Sequence, residues 1–355
     1  MKAKAIFSKI IKNQIMIPLV ALLILALFNL IVDPSFFKIS MGLNSLGNPV
    51  LSGYLITILD CGSELAILAI GMTLVTAASG GQDISVGASI AIAGSVMLRM
   101  LCGRNGSREL LVPIFVAFIV ALIVAMAFGA FNGVLVASFK IQPMIATLIL
   151  FTAGRSIAAW INNNELPIVY DESYAVFGGF IPGIPIPTPA FIAVICFIIT
   201  ALVLKFTSLG LFVQSVGINE KSARVNGLNP EAIKILTFVI LGACVAVCAL
   251  IKTSRLMTIN YSVIAKDIEM DAILAVALGG NALSGGKFNI TASILGAYVI
   301  QALTTTLYKF QVPSAALSAY KAIVVILLVV FSSDTVRGWI SKNLKFGAKK
   351  EVKNV

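Results

Sequence analysis

Residues 69–97 read AIGMTLVTAASGGQDISVGASIAIAGSVM, an apolar run, two adjacent glycines, a short polar stretch and a second apolar run. Paired glycines free the backbone to leave a helix, and the serine that follows can cap the next one. The stretch therefore predicts two helices separated by a break. The same arrangement returns two hundred residues later. GGQDISVG at Gly80–Gly87 and GGNALSGG at Gly279–Gly286 share the pattern GG-x3-S-x-G, and acids, Glu64 and Glu269, precede the two apolar runs. Irregular backbone at membrane depth survives only where protein or a water-filled cavity satisfies its polar groups, so matched breaks in two halves point toward a translocation path. Two glycine-rich surface loops are the plainer alternative.

Composition places these runs in a bilayer. Hydrophobic residues make up 59% of the 355-residue chain and charged residues 12%, with a mean hydropathy of +1.02. A soluble core cannot absorb that much apolar surface. About 20 mostly apolar residues span a bilayer core. Such segments occur near 14–32, 55–78, 83–98, 112–138, 143–161, 188–206, 232–251, 271–283, 290–308 and 315–333. The expected fold is an all-α integral membrane protein of about ten transmembrane helices, with broken or re-entrant segments at the two repeats. Residues 1–355 form a single transmembrane domain in this reading. The 271–283 segment is too short to cross alone.

Lys and Arg gather in cytoplasmic loops. With ten spans and both termini cytoplasmic, sixteen basic residues fall inside and eight outside, the latter including Lys252, Arg255 and Lys309. Arg155 and Lys321 lie within spans, where snorkelling to an interface is one role and a functional site another. The basic start followed by an apolar run reads as an uncleaved first helix, and 336–355 as a basic cytoplasmic tail. A net charge of +11 is spread over loops and tails with no basic face. That pattern fits contact with anionic membrane lipid and not with nucleic acid.

No histidine occurs, which removes the usual general base and the commonest metal ligand, and the five cysteines lack metal-type spacing. Catalysis and a metal site are not expected. GNALSGGKF at Gly280–Phe288 fails as a phosphate loop, because Asn281 stands at the first glycine and Phe288 follows the lysine. Any ATP must be bound and hydrolysed by another chain.

The expected path and its helix breaks comprise Gly80, Gly81, Asp83, Ser85, Gly87, Gly279, Gly280, Asn281 and Ser284. Asp83 can serve a helix N-terminus or accept substrate hydroxyls. Between two strong spans, 207–231 reads TSLGLFVQSVGINEKSARVNGLNPE. Asn219 can cap a short helix there, Gly227 can end it, and Pro230 can open the next. Such a helix suits docking; a solvated connection is the alternative.

These stretches, with EMDAILAVALGGNALSGGKFNITASILGA at Glu269–Ala297, resemble the permease subunits of bacterial ABC importers for ribose, galactose, xylose and related sugars. TLILFTAGRSIAAWI at Thr147–Ile161 looks most like the galactofuranose branch. The resemblance implies a monosaccharide permease of the bacterial inner membrane that works with an ABC ATPase subunit, a periplasmic or lipid-anchored sugar-binding protein and a second permease subunit. It also implies that Gly217, Asn219, Glu220, Lys221, Ser222, Ala223, Arg224 and Gly227 couple to the ATPase. The family pattern EAA-x3-G appears as Lys221, Ser222, Ala223 and Gly227, departing at Lys221 and keeping small surfaces at Ala223 and Gly227 for close packing. An ion-coupled secondary transporter would share the broken helices but wants more intramembrane carboxylates or histidines, and a channel wants a repeated filter.

Overall fold

The computed structural model describes residues 14–43, 49–103 and 109–332. The basic tail expected at 336–355 and the basic residues before 14 lie outside them. Each of the ten apolar segments contains a helix: α1 (Met16–Val32), α2 (Tyr54–Ser79), α3 (Val86–Cys102), α4 (Ile114–Ala137), α5 (Pro143–Ile161) and, after the one-turn α6 (Glu172–Ala175), α7 (Thr188–Phe206). The loop beyond α7 folds into α8 (Leu209–Ile218) and α9 (Glu220–Val225), and α10 (Pro230–Leu256), α11 (Ile268–Leu278), α12 (Ile290–Lys309) and α13 (Ser314–Ser332) follow. Six of these, α2, α4, α5, α7, α10 and α12, are long and apolar enough to cross a membrane. The 11 residues of α11 reach only roughly 16 Å at 1.5 Å per residue, so this helix cannot span alone. One addition to the all-α expectation is a small antiparallel hairpin, Ser40–Leu43 against Pro49–Ser52, held by Leu51 N–H to the Pro185 carbonyl at 3.2 Å.

Helix α2 is the hub. Every residue from Gly62 through Ala78 is buried, against α7, α10, α11 and α12. Small residues let the neighbours approach. A β-carbon on Gly71 would stand 2.8 Å from Leu241 Cα of α10. On α4, the buried Ala117, Ala121, Ala125, Gly129 and Gly133 recur every fourth residue and form one stripe. That stripe faces α10, where a β-carbon on Gly242 would lie 3.0 Å from Met126 Cα. Phe115, Ile123 and Phe131 of α4 point outward as lipid-facing bulk. In lipid, where apolar burial gives no driving force, such close backbone approach is what lets dispersion hold helices together.

Charged side chains expected in outer loops or at interfaces are instead paired inside the bundle. Lys252 and Arg255 lie in the last turns of α10, not in an exterior loop. Glu64 of α2, 2% exposed, meets Lys252 at 2.6 Å and also pairs with Arg255, while Arg255 reaches Asp60 at 2.8 Å. Lys321 does not snorkel; it bonds both oxygens of Asp271 at 2.7 and 2.8 Å. Arg155 donates to the carbonyls of Tyr261 and Ile264 at 2.9 and 3.0 Å, pinning the segment before α11. Each arrangement avoids an uncompensated charge in a low-dielectric interior. Lys309, at the end of α12, pairs with Asp33 at 2.8 Å.

Replacing Gly242 by Leu forces α4 away from α10, because the nearest atoms are backbone and cannot yield. Thermal unfolding in detergent should show a loss of about 1–3 kcal/mol or more, whereas Ile123→Leu on the lipid face should leave the transition unchanged. Equal midpoints for both variants would contradict the packing described.

Candidate functional site

The first break begins where α2 ends. Gly80 takes the left-handed conformation (φ +66°) and its N–H closes the helix on the Thr76 carbonyl at 3.0 Å. A β-carbon on Gly80 would lie 2.8 Å from the Ser284 carbonyl oxygen, and one on Gly81 2.7 Å from the Pro143 ring. The carboxylate of Asp83 then organises the turn. Its Oδ1 accepts from the Ser85 amide at 2.7 Å and the Ser85 hydroxyl at 2.6 Å, and Oδ2 receives Asn132 of α4 at 3.4 Å. Ser85 occupies the N-cap position of α3 but its side chain makes no capping bond; its hydroxyl turns to Asp83 and accepts from Asn132 at 2.9 Å. Thr147 Oγ of α5 receives the Ile84 amide at 3.1 Å. Gly87, in the first turn of α3, packs on the carboxylate of Glu269 and the carbonyl of Ala265.

The second break uses different chemistry. Gly279 stays right-handed (φ −65°), and a β-carbon there would meet Ser293 N of α12 at 2.7 Å. Gly280 turns left-handed (φ +71°). Asn281 stitches the turn: it accepts from the Asn289 amide at 2.6 Å and donates to the Val276 carbonyl at 3.2 Å and to Ser293 Oγ at 2.7 Å. Ser284 is not the cap of the following helix. Asn289 is, accepting from Ala292 N–H at 3.2 Å, because Gly285 and Gly286 (φ +92° and +99°) extend the turn before α12 starts. The exposed Ser284 contributes its backbone, which faces Gly80.

The two breaks meet. Gly286 N–H donates to the Ala77 carbonyl at 2.9 Å, and Gln82 Nε2 reaches the Leu283 carbonyl at 3.3 Å. The end of α8 sits on this junction, with Gly217 against the Ala77 carbonyl and the Gly286 amide, and no room for a β-carbon. Both repeats and the 207–231 loop therefore occupy the same end of the bundle.

From that seat α9 projects. Asn219 caps it, accepting from Ser222 N–H at 3.0 Å. Gly227 (φ +82°) ends it, with Leu228 N–H returning to the Ala223 carbonyl at 3.1 Å, and Asn229 caps α10 with Pro230 in its first turn. The small surface of Ala223 is not turned to a partner. Its methyl is buried in a cluster with Ala77, Ala78, Val213, Val216 and Ile233, on the face of this one-and-a-half-turn helix that packs against α8 and α10. Lys221, Ser222, Arg224 and Gly227 are exposed, and Val225 is 88% exposed. Glu220 pairs with Lys234 at 2.7 Å and Arg224 with Glu231 at 2.7 Å. The Lys234 hydrogen bond holds the Glu220 carboxyl below its ordinary value. A cleft of about 820 Å³ opens between α9 and the α4–α5 turn.

Sequence reading missed Asn132, Thr147, Gln82 and Val225. Asn132 carried a signal, being the one polar side chain in the 24 residues of α4. Thr147 and Gln82 act only through tertiary contacts. The site offers hydrogen-bonding groups and backbone turned at left-handed glycines.

A family model described as "Branched-chain amino acid transport system / permease component" matches residues 54–333. The chain is 37% identical to a galactofuranose transporter permease protein of Escherichia coli K12, over 89% of each chain. It is 34% identical to a fructose import permease protein of Bifidobacterium longum, over 97% of this chain and 95% of that one. A ribose import permease protein of Escherichia coli K12 is 33% identical, over 88% and 91%. No solved structure matches. A match over residues 54–333 takes in both glycine breaks and the segment seated on them, and on it the chain belongs to the family of branched-chain amino acid transport system / permease components.

Proposed function

We propose that this chain is the membrane permease of an ATP-driven importer and forms the path for a monosaccharide delivered by an external binding protein. The observation that carries this reading is the seating of Gly217 on the Ala77–Gly286 junction. A helix that can be moved from outside the bundle rests on the point where both helix breaks meet. The similarity to galactofuranose, fructose and ribose permeases supports a sugar as cargo.

In this reading ten helices lie in the bacterial inner membrane with both termini in the cytoplasm. ATP is bound and hydrolysed by a separate ABC ATPase subunit, and a second permease subunit completes the path. The ATPase grips α9 by its outward face, with the exposed Val225 at its centre and Lys221, Ser222 and Arg224 around it. Closure of the ATPase shifts α9. Through Gly217 that displacement reaches the ends of α2 and α11, whose glycines absorb the change of backbone angle. Gly80, Gly81, Gly279 and Gly280 border the path, with Asp83, Ser85, Gly87, Asn281 and Ser284 completing its breaks. Affinity for sugar at the path stays low, since capture belongs to the binding protein and a tight site slows release.

Gly80→Val and Gly280→Val each place a branched side chain at positive φ, and Gly81→Val and Gly279→Val drive one into packed atoms. Uptake of labelled sugar in vesicles should fall at least about tenfold at equal membrane levels, which corresponds to roughly 1.4 kcal/mol in the rate-limiting barrier. Parent-like transport by all four would defeat the assignment. Val225→Asp leaves the fold intact, because the side chain touches little of its own chain. Co-purification with the ATPase and sugar-dependent ATPase stimulation should both be lost in this variant; retention of both would return the 207–231 loop to a solvated connection.

A further inference from the structure

The cleft beside α9 is lined by four basic side chains, Lys140, Lys221, Arg224 and Lys234, and one acid, Glu220. Two of the four are already neutralised. Lys234 bonds Glu220, and Arg224 bonds Glu231 at 2.7 Å while lying 3.8 Å from Glu220. Lys140 and Lys221 are exposed and form no ion pair among the described residues, although Lys140 lies near enough to help lower the Glu220 carboxyl. The cleft therefore carries two positive charges that its own chain does not answer.

Lys140 also occupies an unusual backbone position. It is a non-glycine residue at φ +56°, directly after α4, where the amides of Phe139 and Ile141 fold back on the carbonyls of Val134 and Leu135. Glycine or asparagine suits such a terminus better. A lysine held there carries some backbone strain while its side chain lines the cleft, and strain of that kind points to a functional position.

We infer that an acidic side chain of the ATPase subunit enters the cleft between α9 and the α4–α5 turn and pairs with Lys140 and Lys221. The inference rests on the docking role proposed for α9 and adds a second contact element, the α4–α5 turn, that sequence reading did not suggest. An acidic protein side chain is the fitting occupant because the charges adjoin Val225, an 88% exposed apolar anchor on the same short helix. An exposed apolar side chain beside unanswered charge offers a protein partner both a contact surface and a steering field. The contact steers association and sets register, so it is sensitive to salt.

The test uses the full permease–ATPase complex in nanodiscs. Lys140→Gly relieves the positive-φ strain and removes the charge, so a merely structural role predicts undiminished stability and undiminished binding. Combined with Lys221→Gln, it should instead weaken ATPase binding about tenfold at low salt and flatten the salt dependence, while Lys140→Arg binds as the parent does. Unchanged binding by the Lys140→Gly/Lys221→Gln protein, with binding lost in Val225→Asp, overturns this inference and leaves the docking role standing. Unchanged binding in both overturns the docking role as well. If the charge variants keep the ATPase but lose a preference for phosphatidylglycerol over phosphatidylcholine vesicles, the cleft holds a lipid headgroup and the inference fails.

Discussion

A hydrogen bond from the Gly286 amide to the Ala77 carbonyl, 2.9 Å long, is the interaction on which the arrangement of this protein turns. A helix that stops inside a membrane protein leaves carbonyls without partners, and the surrounding lipid supplies none. Here α2 stops at Ser79, and the turn that follows α11 provides the missing donor. One break satisfies the other. Neither can be moved alone without exposing a peptide group, and the two repeats are therefore a mechanical unit although two hundred residues separate them.

The rest of the bundle holds that unit in place. Thr73 of α2 donates to Ser293 of α12 at 2.7 Å, and Ser293 also receives Asn281 from the second break. On the first side, Asp83, Ser85 and Asn132 join the break to α4, whose stripe of small residues locks it against α10. At the opposite end α2 and α10 are tied again by Glu64, Lys252 and Arg255. Buried pairs of this kind contribute little net stability, but removing one partner strands the other and costs several kcal/mol, so they fix register. The hub helix is thus fastened at one end by charge and at the other by backbone.

Much of this was legible in the residues. The long apolar runs became helices because a run that enters a bilayer has no alternative to internal hydrogen bonding. Asn219, Gly227 and Pro230 were readable because capping, positive φ and a missing amide act locally. What failed were inferences about direction. The Ser in GG-x3-S-x-G looked like a cap in both repeats, yet Ser85 turns to Asp83 and Asn289 caps α12 in place of Ser284. Ala223 looked available because it is small, and small residues suit a tight approach from either side; only the packing of its helix on α8 and α10 decides which. Lys252 and Arg255 looked like loop charges, since a charge near a span's end cannot be told from one inside it until its partner, Glu64, is seen nearly two hundred residues earlier in the chain.

The placement of Gly217 bears on how force travels. Its backbone lies on the Ala77 carbonyl and the Gly286 amide with no space for a side chain, so α8 cannot tilt without pressing on that hydrogen bond. Ala223 adds a second fixed point, buried where α9 packs on α8 and α10. Two contacts at different positions along α8 and α9 resist rotation as well as translation, which a single contact does not. Close-packed interfaces respond by switching between discrete packings and not by deforming smoothly. In the proposed mechanism, a push on α9 is taken up at the left-handed glycines Gly80, Gly280, Gly285 and Gly286. All four lie within a few residues of the junction itself, so the backbone turns that only glycine adopts readily are gathered where the two breaks meet.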